Sequence, residues 1–496
     1  MTGLFGTLNT ATKGLNAQQT ALQTIGHNVA NANTPGYTRQ RVTMQADLAT
    51  SIPGIGQIGT GVRIDGINRV HDTYITTQLR DANSTTNGHQ ALSDTIGELE
   101  AVFNEPSDTG LSNQISEVFN AWTYLASNPE EASARTMLVQ TTETFTDTVH
   151  HMANSMESLH NNTLNQLDKT ALDANSDLMQ LEKLNDQIWQ ASVRGFTPND
   201  LLDKQDQLLN DLAGKIDISV ERDKFNRVSV EIDGQTVLDS NSRKELAVVV
   251  GSEDGKSTFS NGDTTEEKLK LGQVVVKNDD KYNAVEAKTG KMNGTQKALD
   301  VIVASRNDLD DFAFSFAKAV NTIHSNDGDG NDFFSLANLG SSNNAASSIR
   351  VTQAIRNTPD NIVSGASLNN EISGDGSRAQ AIATLQYKAL ASDSDSWVYQ
   401  ESSMSFSDSA TGNTLFGKYN SMVTGIGIVK QQEDNMLKTQ NGLMALLTQR
   451  RESISGVDIN EEVVDMIKYS SAFQANSRVL QTISEMLDTL INRTGV

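Results

Sequence analysis

Residues 4–37 read LFGTLNTATKGLNAQQTALQTIGHNVANANTPGY, and the placing of the apolar side chains in this stretch decides the fold. Leu4, Leu8, Ala11, Leu15, Gln18, Leu22, Ile25 and Val29 follow one another at alternating steps of four and three. That spacing predicts a helix with a single heptad seam, interrupted once by Gln18. Pro35 stops the pattern and Gly36 supplies a turn before Tyr37. The far end of the chain answers it: Ile459, Met466, Phe473, Leu480 and Leu487 recur every seven residues. Neither helix has a local partner for its stripe. The two are expected to pair as a coiled coil and to meet the same helices of neighbouring copies.

Composition fits that picture. Hydrophobic residues make up 37% of the 496 and aromatics 5%, lean for one compact globule but suited to long helices that each bury one stripe. A net charge of −23 argues against nucleic acid or an anionic membrane as partner. No apolar run approaches a membrane span. Residues 1–30 lack the basic start and continuous apolar core of a cleaved secretory signal. With no cysteine, disulfides and thiolate metal sites are excluded. The ends carry opposite charge. Residues 1–46 hold Lys13, Arg39 and Arg41 and no acid, whereas residues 456–496 hold six acids against three bases. This favours their association modestly.

Between the ends, helical and strand periods alternate. The predicted fold is mainly α with a smaller β-rich module: an elongated, multi-domain chain whose body is a bundle of long helices. Helical patterns cover 73–103 and 111–125. A long helix is expected from Asn128, with Pro129 at its first position; Leu138, Phe145, Met152 and Leu159 step by sevens. After one irregular step the seam resumes at Leu167, Ala174, Leu181 and Ile188, and Gly195 ends it. Another helix follows Pro198 and closes at Gly214. Val228 to Ile232 then alternates strictly, and Asp233-Gly234 reads as a hairpin turn. Leu246 to Val250 and Val274 to Val276 read as further strands, with a polar, exposed tip at Gly251 to Asp263. Helix returns at Thr295, again between Ser377 and Leu390, and from Leu415. The expected division is a terminal domain of 1–45 with 456–496, a helical body of 46–214 with 295–455 that includes a Gly-rich β segment near 52–68, and a β-rich inserted module at 215–294.

Catalytic motifs are weak. Gly54-x-Gly56-x-x-Gly59 matches the dinucleotide fingerprint in letters, but Pro53 precedes it and a strand, not a helix, is expected after Gly61, so a turn between strands is the better reading. Asp327-x-Asp329-x-Asn331 opens like a calcium loop, yet Asp332 and Asn338 stand where glycine and glutamate are needed. His150, His151 and His160 lie on the long helix without ligand spacing. No nucleophile elbow, Walker loop or His-Glu-x-x-His occurs. The reading is therefore of a non-enzyme with no cofactor and no metal.

Asn28-Val29-Ala30-Asn31-Ala32-Asn33-Thr34-Pro35-Gly36-Tyr37 resembles the signature of bacterial flagellar rod, hook and hook-associated axial proteins. The likeness continues through Gly61-Val62, Ile67-x-Arg69 and Gln78-Leu79-Arg80. It extends to Leu309-Asp310-Asp311-Phe312-Ala313, Phe333-Phe334, Ser453 to Glu462 and Phe473 to Leu480. His27 departs from it, standing where the signature often has a second asparagine. The resemblance implies an extracellular structural protein of the flagellum, exported through the flagellar type III apparatus without a cleaved signal, with termini that become ordered on assembly. It implies a ring or tube of copies joining hook to filament, with hook protein, a second hook–filament junction protein and a cytoplasmic export chaperone at the C-terminal helix as partners. The assembly interface is then expected at Leu8, Leu15, Leu22, Ile25, Val29, Asn31, Asn33, Thr34, Pro35, Gly36, Tyr37, Ile459, Met466, Phe473, Leu480 and Leu487. Two other readings compete. One is a distal rod or hook component; the other is an enzyme, either nucleotide-dependent through Gly54 to Gly59 or a peptidoglycan hydrolase.

Overall fold

The computed structural model describes the chain apart from residues 1–2, 53, 55, 241, 254, 280, 337–340, 370–373 and 494–496. Pro53 and Asn338, which entered the motif readings above, lie outside the described residues. The chain opens with α1 (Leu4–Ala30), followed by β1 (Gln40–Ala46), β2 (Thr50–Ile52), β3 (Gly56–Ile58) and β4 (Val62–Arg69). β1 pairs antiparallel with β4, and β2 with β3. The Gly-rich run is thus the tip of a β-ribbon. β4 follows it where a dinucleotide site needs a helix. Because β1 takes its partner from beyond residue 46, the ribbon and α1 are one unit.

Three helices come next. α2 (Thr73–Phe103) starts at Asp72, whose carboxylate accepts from the Tyr74 and Ile75 N–H groups at 2.9 and 3.3 Å, a stabilising N-cap. It ends where Asn104 turns left-handed, at φ 50°. α3 (Leu111–Ser127) precedes α4 (Ala132–Val193), whose 62 residues reach roughly 93 Å at 1.5 Å each. α4 begins later than the sequence suggested. The Asn128 N–H still bonds Tyr124 O at 3.0 Å, completing α3, and Pro129 lends its carbonyl to Arg135 instead of opening a helix. α5 (Asn199–Lys215) follows a turn at Gly195.

The β-rich part forms two sheets. β5 (Ser219–Arg222), β6 (Val228–Ile232) and β7 (Gln235–Leu238) make a three-stranded antiparallel sheet. Its tight turn puts Asp233 and Gly234 at φ 48° and 75°, as an Asp-Gly hairpin requires. β8 (Glu245–Glu253), β9 (Lys256–Phe259), β10 (Thr264–Thr265), β11 (Val274–Asn278) and β12 (Lys281–Ala284) pair in the order β10-β9-β8-β11-β12. The expected exposed tip at 251–263 is partly structured instead. β9 runs through it and buries Ser257 and Phe259, because alternate side chains of a strand must face the sheet's own core.

This module does not close on itself. Val228, Val230, Ile232, Val274 and Val276 share one core with Leu167, Leu181 and Ile188 of α4 and Leu209 of α5. Two α4 amides dock the sheets onto the helix. Asn175 exchanges two bonds of 2.8 Å with the backbone of Leu246, and Asn185 does the same with Val228 at 2.8 and 3.0 Å. Each amide stands in for a strand neighbour.

α6 (Gly290–His324) returns along α2 and α4, starting five residues before Thr295. Its crossing with α2 is close enough that a Cβ at Gly294 would lie 2.0 Å from Gly88 O, so only glycine fits. β13 (Phe334–Ser335) then pairs with β14 (Arg350–Val351) across the short α7 (Ala345–Ser348), and α8 (Gln353–Asn357) and α9 (Ser377–Thr384) follow. α9 stops short of Leu390, which instead bridges to Asn413. α10 (Leu415–Ser455) packs along α2, and α11 (Ile459–Asp488) packs along α1.

The body's main core is aromatic. Trp122, Phe119, Phe145, Phe316, Phe333 and Phe334 are all fully buried, with Trp122 and Phe333 ring centres 5.0 Å apart and Phe145 and Phe316 4.7 Å apart. Asn321 locks Phe334 in place by accepting its N–H at 2.7 Å and donating to its carbonyl at 2.9 Å. Among the described residues, no helix is long and apolar enough to cross a membrane.

Candidate assembly interface

The signature stretch ends α1 and anchors it. Thr34-Pro35-Gly36-Tyr37 is a turn with Gly36 at φ 80°, closed by the Tyr37 N–H on Thr34 O at 3.2 Å. Proline before glycine suits this geometry, since the third position needs a positive φ. The turn itself is exposed and delivers Tyr37 back toward α1. There Asn28, 1% exposed, uses its whole amide. Its Oδ1 accepts from the Tyr37 hydroxyl at 2.8 Å and the Gln40 N–H at 3.0 Å. Its Nδ2 donates to Gln40 O at 2.9 Å and to Glu462 Oε2 at 3.1 Å.

Glu462 sits in the first turn of α11, where a carboxylate is favoured by the helix dipole. Its other oxygen takes Arg39 Nε at 2.7 Å, and Arg39 NH1 reaches Glu461 at 2.7 Å. Burial works against charge on Arg39, but Glu461 and Glu462 outweigh it and raise its pKa. Burial, with Asp200, Asp203 and Glu462 nearby, holds the Tyr37 hydroxyl protonated far above its ordinary range. It therefore acts as a permanent donor. The clamp extends to the body through α5: Gln40 Nε2 donates to Asp200 at 2.8 Å, the Thr38 N–H to Asp203 at 3.0 Å, and Asn199 Nδ2 to Ile67 O at 2.8 Å. One polar cluster thus ties the two terminal helices, the β-ribbon and α5 together. The charge asymmetry of the ends is concentrated here, in Arg39.

The contact between α1 and α11 is of a different kind. On α1 the buried positions are Ala11, Gly14, Ala17, Ala21, Thr24, Ile25 and Asn28. The leucine seam is displaced: Leu8, Leu15, Leu22 and Val29 are half-buried beside this small-residue face, and of the seam's expected interface residues only Ile25 is fully buried. A single neighbouring helix explains the shift, because small side chains let two backbones approach and push larger ones to the flanks. A Cβ at Gly14 would stand 3.0 Å from the Asn476 side chain. On α11, Phe473, Leu480 and Leu487 are half-buried, whereas Ile459 and Met466 are exposed. Asn31 and Tyr37 are half-buried, and Asn33, Thr34, Pro35 and Gly36 are exposed.

Facing away from α1, α11 shows an apolar stripe: Ile459 is 50% exposed, Val463 43% and Ile467 63%, spaced by four, with Val464 beside them at 64%. α10 similarly leaves Met436, Leu443 and Leu446 exposed. Two histidines play structural parts: His150 Nε2 bonds Ile349 O at 2.6 Å, and His324 is sealed in the aromatic core. Among the described residues no cluster of three or more His, Asp or Glu is placed to hold a metal ion. The residues that sequence reasoning missed are Asn28 as the hub, Gln40, Asn199, Asp203 and Glu462. Asn28 gave one signal, an amide between Ile25 and Val29 on the side the helix buries.

Comparison with known proteins agrees with this geometry. Residues 96–334 match the flagellar hook-associated protein FlgK helical domain, 448–493 the flagellar basal body rod FlgEFG protein C-terminal family, and 8–38 the flagella basal body rod protein family. The chain is 29% identical to flagellar hook-associated protein 1 of Bacillus subtilis, over 100% of this chain and 99% of that one. It is 26% identical to the protein of that name from Salmonella typhimurium, over 98% of this chain and 99% of the relative. In fold it is similar to the flagellar hook junction protein FlgK from Burkholderia pseudomallei, with a TM-score of 0.61 at 15% identity, covering 76% of this chain and 100% of that one. The rod families match only the ends, so the ends alone do not separate rod from junction; the full-length matches do. Along its whole length the chain is thus similar to flagellar hook-associated protein 1.

Proposed function

We propose that this chain is a structural adaptor of the bacterial flagellum that joins hook to filament, working outside the cell as a ring or tube of identical copies. The carrying observation is the pairing of a rigid polar clamp with an uncovered apolar stripe. Glu462, Arg39 and Asn28 fix where α11 leaves the body, while Ile459, Val463, Val464 and Ile467 face outward with no cover in the subunit. A fixed helix with an open stripe is what a neighbouring copy can dock against. Hook protein and a second hook–filament junction protein complete the axis on either side. The chain travels through the flagellar type III apparatus without a cleaved signal, and a cytoplasmic chaperone covers α11 until then. A thin-striped helix is marginal by itself and suits such threading.

The test is Val464→Asp with Ile467→Asp in motile cells. Both side chains are mostly exposed, so the isolated chain should keep its melting temperature. Copies carrying the pair should reach the medium but fail to retain filaments, since a charge in an apolar contact is costly. Normal swimming with intact filaments would overturn the placing of the interface on this stripe.

A further inference from the structure

Where the arms meet the body, arginines outnumber the acids that line one cavity. Arg69, Arg80 and Arg222 line one cavity of about 620 Å³, with His71 at its edge. Asp206 is the only acid among the described residues lining it, and both its oxygens are engaged: Oδ2 with Arg69 NH1 at 2.9 Å, Oδ1 with Arg222 NH2. Asp203, alongside, gives one oxygen to Arg69 at 2.7 Å and the other to the Thr38 N–H at 3.0 Å. Arg80 is the group left over.

Arg80 projects from α2 with only 9% of its surface exposed, and its Nε is buried without a hydrogen-bond partner among the described residues. Burial draws its pKa down; Asp206 and Asp81 resist this and Arg222 adds to it. A packing role for its stem accounts for the burial. It does not account for a guanidinium left unpaired beside a second one, the costly arrangement for a buried ion. Water can satisfy its N–H groups but not its charge.

We propose that this cavity is an oxyanion site, taking a carboxylate or phosphate group between Arg80 and Arg222. The planar fork of arginine fits both groups. The source is either a free phosphate-type anion or a carboxylate presented by an acidic neighbour, as a chain of net charge −23 would supply in an assembly. Arg80 also lines the adjoining cleft below Pro35 and Gly36, where Asp203, Asp206, Asp211 and Glu452 face it, so an anion would be held on the Arg222 side of Arg80, at the joint between arm and body.

The experiment is titration calorimetry on the full chain at fixed ionic strength in sodium chloride, with inorganic phosphate in one arm and succinate in the other. One-site, saturable heat is expected from at least one. Phosphate alone would identify a free dianion as the ligand, and succinate a carboxylate; either supports the site. Arg80→Gln should weaken binding by about tenfold or more, the scale of a lost charge-assisted bond, and Arg80→Lys by less. Arg63→Gln on the exposed ribbon should change nothing. If Arg80→Gln does not fold, Arg222→Gln, on the rim, carries the same test. No saturable heat from either anion, or unchanged affinity in the folded variants, would overturn the proposal. These readouts do not depend on filament attachment.

Discussion

α3 buries seven of its 17 residues inside the subunit, Trp122 and Phe119 among them; α11 buries two of its 30, and one of those is the carboxylate of Glu462. Both helices carry apolar stripes. In the body the stripes of α3, α4 and α6 meet one another, though α10 leaves Met436, Leu443 and Leu446 exposed, whereas the arm is held by hydrogen bonds and ion pairs at its root and by small side chains along its length. Apolar burial stabilises without regard to direction, but a polar cluster fixes angle and register. The body is therefore built to be stable and the arm to be aimed. That contrast can be broken by experiment.

The largest effect belongs to the aromatic core. Trp122→Ala removes a fully buried ring packed 5.0 Å from Phe333 and 6.4 Å from His324. It should cost about 3–5 kcal/mol, the range for large-to-small changes in packed cores. Urea unfolding of the isolated chain measures it. A cost near zero would mean that the body, too, needs neighbours to hold together.

His324 gives the next effect and ties it to pH. Burial, with Arg378 adding, pushes its pKa down from 6.5 to about 4, though the carbonyl of Asn331 resists. Nδ1 donates to that carbonyl at 2.7 Å and Nε2 accepts the Val363 N–H at 3.0 Å, so the folded ring is neutral. Between these two pKa values the unfolded chain binds the proton and the folded chain does not. Stability from this group is then full above pH 6.5 and lost as pH falls toward 4, by roughly 3 kcal/mol in all. His324→Gln should flatten that part of the profile in pH-dependent unfolding. The arm's histidine, His27, is exposed.

Much of this contrast was written in the sequence, and the part that was not has physical causes. The long helix showed an irregular step between Leu159 and Leu167. The structure explains it: Leu159 belongs to the aromatic core and Leu164 and Leu167 to the second core shared with the β-sheets, so the stripe shifts as α4 passes from one to the other. Strand alternation at Val228 to Ile232 and the Asp-Gly turn were legible because both are local. The docking of the sheets by Asn175 and Asn185 was not, since an asparagine on a helix reads as solvated until its partner strand is known. In α1 the heptad rule picked the leucines, yet contact with one close partner selected Ala11, Gly14, Ala17 and Ala21. The clamp was half legible. The signature marked Asn28 to Tyr37, but its partners lie some 160 and 430 residues away in sequence, Asp200 and Glu462.

Asn28→Ala probes that clamp, and a smaller effect is expected. It strips the buried Gln40 N–H of its acceptor, at about 1–3 kcal/mol, while the half-buried Tyr37 hydroxyl keeps His27 Nδ1 at 2.9 Å as a partner. Because the loss falls at the root of the arm, hydrogen exchange along α1 and α11 should quicken while the amides of α3 stay protected. Equal quickening in α3 would show that arm and body unfold as one.

Phe473→Ala carries the smallest expected effect on the free subunit, and it draws the line between the regions most finely. Phe473 lies half-buried on α11, with no aromatic partner among the described residues, unlike Phe145 and Phe316 in the body. Removing a half-covered ring should forfeit about 1 kcal/mol, since the burial term scales with the area already removed from water. Its melting temperature should stay close to that of the parent chain. Phe473 nevertheless stands one helical turn from Asn476, which meets α1 at Gly14, so α11 should lean differently and expose Gly14 and Ala21 to protease. A cost of 3 kcal/mol or more, matching Trp122→Ala, would mean that the arm already belongs to the cooperative core, and the division between a stable body and an aimed arm would fall.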